Sequence, residues 1–258
     1  MRTRCLVGVL LACSSAYAIA QPPGPPPGPQ GPAREIAPVD FTGNWVAPVM
    51  EDWRWRMVTP LKGDAASIPL RPSARAVIDA WDPARDEAQG LQCKAYGAAG
   101  LMRLPGRIKI SWEDDNTLRI DTDYGMQTRL LHFDPLPASA PSLQGHSVAH
   151  WDRGVGGGPS GLGFVGTAAR VGAQSKSLIV ETSNLLPGYL RKNGIPYSDQ
   201  TTMMEYFDTF TSIDGTEWFT ITTVVEDPVY LSVPYVTTTD YKREPDDSGW
   251  NPEPCSAY

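Results

Sequence analysis

Several common chemistries have no foothold in this 258-residue chain. It carries four cysteines and three histidines, and its 22 basic side chains are outnumbered by 29 acidic ones. Loss of Arg2 and Arg4 with the first twenty residues takes the net charge from −7 to −9. Such a chain has no basic stripe to displace counterions from a phosphate backbone, so it is not expected to bind nucleic acid. No apolar run beyond the first twenty residues reaches spanning length, so no transmembrane segment is expected in the mature chain. Gly-x-Ser-x-Gly, His-Glu-x-x-His, the phosphate-loop motif and a Gly-x-Gly-x-x-Gly after a strand are all missing. The glycines from Gly154 to Gly163 precede no helical pattern, so they do not make a phosphate site.

The N-terminus reads as an export signal. Arg2 and Arg4 precede a short apolar stretch, Leu6 to Ala12, and Ala18-Ile19-Ala20 supplies a small-x-small cleavage site before Gln21. Leu10-Leu11-Ala12-Cys13 offers a second reading, a bacterial lipobox in which Cys13 carries a lipid anchor. The expected location is therefore periplasmic or secreted, with an outer-membrane lipoprotein as the alternative. Residues 21–38 have proline at eight of eighteen positions and read as an extended, disordered linker. Cys93 and Cys255 remain as an even pair in an oxidising compartment, neither near a second thiol or imidazole at ligand spacing. They are expected to form a disulfide.

From residue 39 to 258 a single domain is expected, and its dominant period is two. Ile108, Ile110 and Trp112 alternate with polar residues, as do Leu118 and Ile120, and Asp114-Asp115-Asn116 joins the two runs as a hairpin turn. Further strands are predicted at Asn44–Met50, Trp53–Val58, Gln127–Phe133, His146–Trp151, Leu178–Ser183, Met203–Thr211, Glu217–Glu226 and Val233–Tyr241. About ten strands at short spacing predict an all-β fold, an antiparallel barrel or a sandwich. One short helix is predicted where Ala74, Val77, Ile78 and Trp81 recur at helical spacing, stopped by Asp82-Pro83. Arg153 to Ser175 holds eight glycines and reads as a long loop or lid.

Two resemblances follow from particular motifs. The series Gly145-His146-Ser147-Val148, Leu178-Ile179-Val180-Glu181-Thr182 and Val225-Glu226-Asp227-Pro228 resembles a large family of exported β-rich proteins of environmental bacteria with no assigned activity. The chain departs from the commoner pattern of that family by its insertion at Arg153 to Lys176. Gly43-Asn44-Trp45 is similar to the Gly-x-Trp opening of lipocalins, which implies a barrel floor closed by Trp45 under a late-strand cation, Lys242 or Arg243.

Candidate site residues are few. His146 and His150 are four apart on one predicted strand and share a face, so His132 from a neighbouring strand would complete a three-His metal site, with Glu181 as a supporting carboxylate. Arg54 and Arg56 would share one face of a Trp53–Val58 strand and clamp a carboxylate or phosphate; the plain alternative is aromatic packing with solvated arginines. These residues are placed at the mouth of the barrel under the Gly-rich loop. The expected function is binding of a small, apolar or aromatic organic ligand in the barrel; the alternative is a cofactor-independent or metal-assisted isomerase, lyase or hydrolase acting on a similar molecule. No cofactor is named by the sequence. Mass spectrometry of the protein from its own host should find an N-terminus at Gln21 without lipid, whereas a diacylglyceryl mass on Cys13 would identify the anchored form.

Overall fold

The computed structural model describes residues 31–134, 136–137, 140–152 and 177–258. The segment read as an export signal, Cys13, the first part of the proline-rich segment and the Gly-rich segment 153–176 lie outside the described residues.

In chain order the elements are β1 (Gly43–Val46), α1 (Trp53–Arg56), α2 (Ala74–Ala80), α3 (Pro83–Ala88), a 3₁₀ turn (Gln92–Tyr96), α4 (Ala98–Leu101), β2 (Arg107–Asp114), β3 (Thr117–Thr122), β4 (Tyr124–Gly125), β5 (Thr128–His132), β6 (His146–Asp152), β7 (Ser177–Ser183), β8 (Gly188–Arg191), β9 (Ile195–Tyr197), β10 (Thr202–Thr211), β11 (Glu217–Glu226), β12 (Tyr235–Glu244) and β13 (Glu253–Pro254). Nine strands close a barrel in the order β1-β12-β11-β10-β7-β6-β5-β3-β2. The all-β barrel expected from the alternating pattern is therefore the fold, in preference to a sandwich. It is mixed rather than purely antiparallel: β5 and β6 run parallel, with Leu131 opposite Ser147. The chain between them must return to its starting end, which takes about a dozen residues, and 133–145 supplies them.

Two other expectations are corrected. Trp53–Val58 is not a strand. Trp53–Arg56 forms a helical turn, in which Trp55 and Arg56 N–H groups donate to the Asp52 carbonyl and Met57 N–H to that of Trp53. Alternating Trp and Arg satisfies a period of two, but a strand also needs a hydrogen-bonded neighbour, and β1 has already left the barrel by this point. The single predicted helix is present as α2, with Ala74 and Ile78 buried, but three further short helices accompany it. The Asp82-Pro83 that stops α2 also starts α3. The Asp82 carboxylate accepts from Ala84 N–H (3.0 Å) and Arg85 N–H (3.4 Å), and Pro83 occupies the first helical position, where its missing N–H costs nothing.

The barrel interior is filled by side chains. Near one end Trp45, Phe219 and Tyr241 pack in series, with ring centroids 4.6 Å and 5.0 Å apart, and Phe41 stands edge-on to Phe219 at 5.5 Å. The Arg243 guanidinium sits 4.1 Å from the Trp45 ring centroid, so of the two candidate cations Arg243 closes the floor. Gly43 is required there: its φ is +122°, and a Cβ would lie 2.6 Å from Arg243 Nη1. Deeper in the barrel Arg129 and Glu205, both without exposed side-chain surface, form a two-pronged ion pair, Nη1–Oε1 3.0 Å and Nη2–Oε2 2.6 Å. Ser147 and Thr182 hydroxyls, 2.8 Å apart, lie beside Arg129 Nη2.

The opposite end is capped. Within residues 47–106, α2, α4 and the segment before α2 pack with the β8–β9 hairpin into a second apolar cluster that includes Ile68, Ile78, Leu190, Ile195, Tyr197 and Leu231. Cys93 and Cys255 are disulfide-bonded with Cα atoms 5.1 Å apart. The bond pins the C-terminal tail over this cap, where β13 adds to β4 and Ala257 N–H donates to Glu87 Oε1 (2.8 Å). At the floor end the packed unit begins at Gly31, before the predicted boundary at residue 39: Trp151 Nε1 donates to the Ala33 carbonyl (2.9 Å) and Ala33 N–H to Asn116 Oδ1 (2.7 Å). Among the described residues no helix is long and apolar enough to cross a membrane.

Replacing Cys93 and Cys255 together by alanine should lower the unfolding free energy by about 2–5 kcal/mol, because the bond closes a loop spanning 162 positions in the unfolded chain. Urea denaturation of the double variant against the parent checks this. Glu205→Gln, which leaves Arg129 buried and uncompensated, should cost about 3–5 kcal/mol in the same assay. Arg129→Met with Glu205→Leu should cost distinctly less.

Candidate functional site

A cleft of about 240 Å³ opens at the capped end, between α1 and the residues after it, α4, β4 and β8. Its aromatic walls are Trp55, Tyr96, Tyr124 and Tyr235. Four cations line it: Arg56, Arg103, Arg191 and Lys192. Glu253 is the one carboxylate among its lining residues.

Each cation is held by a separate local device. Arg56 ends α1 and is buried. Its Nε donates to the Arg103 carbonyl (2.9 Å) and its Nη1 pairs with Glu51 Oε1 (2.5 Å). Its Nη2 is also buried and has no hydrogen-bond partner among the described residues. Burial and the neighbouring Arg103 charge both push the Arg56 pKa down from its ordinary value. Arg103 follows α4 and pairs with Glu51 (3.2 Å) and Asp52 (2.6 Å), so Glu51 bridges the two guanidinium groups. Arg191, at the end of β8, donates to the Ala66 carbonyl (2.9 Å) and Ser67 Oγ (3.1 Å) and lies 5.1 Å from the Trp55 ring centroid. Lys192 lies over the Tyr96 ring at 5.6 Å. Neither Arg191 nor Lys192 has a carboxylate within ion-pair distance among the described residues.

Behind the cleft stand two tyrosines. The Tyr124 and Tyr241 hydroxyls are 3.4 Å apart, and Tyr241 donates to the Met102 carbonyl (3.3 Å). Burial raises the Tyr124 pKa well above normal and pushes that of Tyr241 up to about 12. Tyr241 interacts electrostatically with Arg56 on one side and with Glu205 and Arg129 on the other. A line of polar groups therefore runs from the cleft to the ion pair inside the barrel.

The residues singled out from sequence do not converge. On β6 the side chains of Ser147, Ala149 and Trp151 are buried in the barrel; Val148 and His150, on the other phase, are exposed, while His146 shares that phase but is itself buried at 7% exposure. Glu181 is paired with Val148 on β7 and also faces outward. The mouth site built from His146, His150 and Glu181 is not formed. His146 and His150 do share a face, as their spacing requires, but it is the outer one; a strand's alternation is silent on which of its two phases meets the core. His132 stacks on His146 with ring centroids 5.6 Å apart, and its pKa is lowered by burial and then by the His146 charge. His150 lies about 13 Å further along the strand, and among the described residues no three potential ligands come together. Arg54 is exposed and pairs with Asp64 (3.0 Å), while Arg56 is buried at the cleft, so the helical turn sends the two arginines to different places. Asp152 and Ser177, where segment 153–176 attaches, pair at the floor end of the barrel, opposite the cleft. Arg103, Arg191, Lys192 and the aromatic walls were not legible as a group, because five separate stretches of chain bring them together. Arg129 carried one usable signal. It shares the inward phase of its strand with Leu131, and a charged residue in such a position calls for a buried partner.

Tyr241 gives a pH test with a definite sign. Its folded-state pKa stands near 12, against about 10 when unfolded. The stabilisation from keeping it neutral is fully present below pH 10 and is lost as the pH rises toward 12. Tyr124, Tyr189 and Tyr197 are shifted in the same direction by burial. Absorbance at 295 nm should show these four ionising only together with unfolding, and Tyr241→Phe should flatten the loss of stability between pH 10 and 12.

No family model, curated protein or solved structure matches this chain.

Proposed function

We propose that the protein is an exported small-molecule binding protein whose ligand lies in the cleft at the capped end of the barrel. The observation that carries this reading is the cleft itself: aromatic walls, four cations, and a buried Arg56 Nη2 without a protein partner. Concave sites that combine aromatic walls with fixed polar groups are the usual places for small organic ligands. The ligand is not proposed to sit inside the barrel, because Trp45, Phe219, Tyr241 and the Arg129–Glu205 pair fill that volume. Export is supported by the disulfide, which suits an oxidising compartment. It is supported as well by the signal-like N-terminus and by the resemblance to exported β-rich proteins. Periplasmic or secreted protein is the form proposed, with lipid anchoring at Cys13 as the alternative. His146, His150 and Glu181, the acid–base groups read from the sequence for an enzymatic role, lie on β6 and β7 and do not line the cleft, so they lend that role no support.

A thermal-shift screen of small organic molecules, neutral and charged, tests it. A ligand present at a hundred times its Kd should stabilise the protein by about 2.7 kcal/mol, without being converted. Val58 lines the cleft and is exposed, so Val58→Trp should fill the cleft, leave the melting temperature of the free protein unchanged and remove the gain. A ligand whose effect survives Val58→Trp binds elsewhere and refutes this site. A screen without a stabilising ligand refutes the binding reading.

A further inference from the structure

We infer that the cleft is built for an amphiphilic organic anion, its acid group on Arg56 and its apolar body laid along α1 and the residues that follow. This rests on the proposed binding role and adds the chemistry of the ligand.

The first argument is charge. Arg56 is 7% exposed, and burying a guanidinium is tolerated when its N–H groups are satisfied. Nε and Nη1 are; Nη2 is not. Arg56 lines the cleft, the unpartnered donor of a buried cation is matched by an acceptor that carries negative charge, and a carboxylate meets a guanidinium with the strongest geometry available. The Tyr124 hydroxyl is held neutral by burial and cannot supply that charge. Glu51, which could, is already shared between Arg56 and Arg103. Arg191 and Lys192 add two cations that lie on aromatic rings instead of carboxylates. Around the cleft the acidic groups Glu51, Asp52, Asp64 and Glu253 face five cations once Arg54 is included. The patch is thus positive in a chain that is negative as a whole.

The second argument is the apolar rim. The largest run of exposed apolar side chains in the described protein is beside the cleft: Met50 at 59%, Trp53 at 69%, Met57 at 59%, Val58 at 64% and Leu61 at 83% exposed. Trp53 and Met57 are one helical turn apart and so occupy one face; Met57, Val58 and Pro60 also line the cleft. Large apolar side chains left exposed within one short stretch beside a cleft suit a binding surface. The volume agrees. About 240 Å³ holds roughly eight water volumes, enough for an acid group and the start of a chain. A longer chain must leave the cleft, and it meets Met57, Val58 and Trp53 as it does.

Isothermal titration with monomeric dodecanoate, octanoate and dodecanol on the full mature chain tests the inference. Dodecanoate should bind one to one and at least about tenfold more tightly than dodecanol, the difference expected of a charge-assisted contact. It should exceed octanoate by about twofold or more per added methylene that the rim covers. Arg56→Met should erase the preference for dodecanoate over dodecanol. Should that variant fail to fold, Lys192→Gln, which breaks no ion pair among the described residues, should still weaken dodecanoate by about threefold at low salt. Met57→Ser should weaken dodecanoate and leave octanoate unchanged. Equal binding of dodecanoate and dodecanol overturns the anion assignment while the binding role stands. Dodecanoate binding unaffected by either cation variant overturns the placement. A screen in which no molecule binds removes the underlying role as well. Phosphatidylglycerol vesicles distinguish the source: binding of vesicles and dodecanoate alike, both lost in the cation variants, supports the inference with a bilayer lipid as donor. Vesicle binding without dodecanoate binding overturns the cleft in favour of surface docking.

Discussion

The buried pair of Arg129 and Glu205 is the constraint around which the rest of the protein is arranged. Two charges removed from water are stable only when they meet in good geometry and their remaining donors and acceptors are occupied. The barrel supplies the geometry with two parallel hydrogen bonds, and the Ser147 and Thr182 hydroxyls lie beside Nη2, while Nε is buried without a partner among the described residues. Burial alone would lower the Arg129 pKa; the charge and hydrogen bonds of Glu205, with lesser contributions from Tyr241 and Tyr124, together outweigh it and raise it. The cost is that the middle of the barrel cannot be a ligand cavity. On one side of the pair the aromatic floor of Trp45, Phe219 and Tyr241 fills the space; on the other a cap of short helices covers it.

That division assigns the two ends different work. The floor end is closed by packing: β1, only four residues long, bridges β2 and β12, and Arg243 holds Trp45 in place. The capped end is closed by chain segments distant in sequence, which are held by one covalent bond and a few hydrogen bonds. Cys255 fastens the tail to the 3₁₀ turn that carries Tyr96, and β13 fastens it to Tyr124. Both tyrosines line the cleft, so the disulfide supports the site's walls as well as the fold. The Tyr124–Tyr241 contact then links those walls to the interior.

Much of the architecture was legible from short-range pattern. Glu217–Glu226 forms a strand over the residues its alternation indicated, and Ala74, Val77, Ile78 and Trp81 mark the helix that forms. The two cysteines left after the signal region are bonded, and a Gly-x-Trp motif foretold a cation on Trp45. The candidate site was far less legible. Trp53-Arg54-Trp55-Arg56 satisfies the strand period and the helical turn equally well, and only the absence of a partner strand settles it. His146 and His150 were drawn inward because polar residues sharing a face suggest a site, yet Ser147, Ala149 and Trp151 are the residues the core accepts.

The distinction is one of range. Sequence alone determined what depends on neighbours two to four residues apart: most of the strands, the helix at Ala74 and its stop at Asp82-Pro83, the oxidised pair left by subtraction and the charge that argues against nucleic acid. Tertiary structure alone decided which phase of each strand is inside, where the WRWR segment goes, and which cations share a cleft. Those outcomes depend on burial, which is a property of the whole packed chain. Arg56, Arg103, Arg191 and Lys192 are spread over 137 positions of sequence and meet only because the barrel and its cap bring their backbones to one rim.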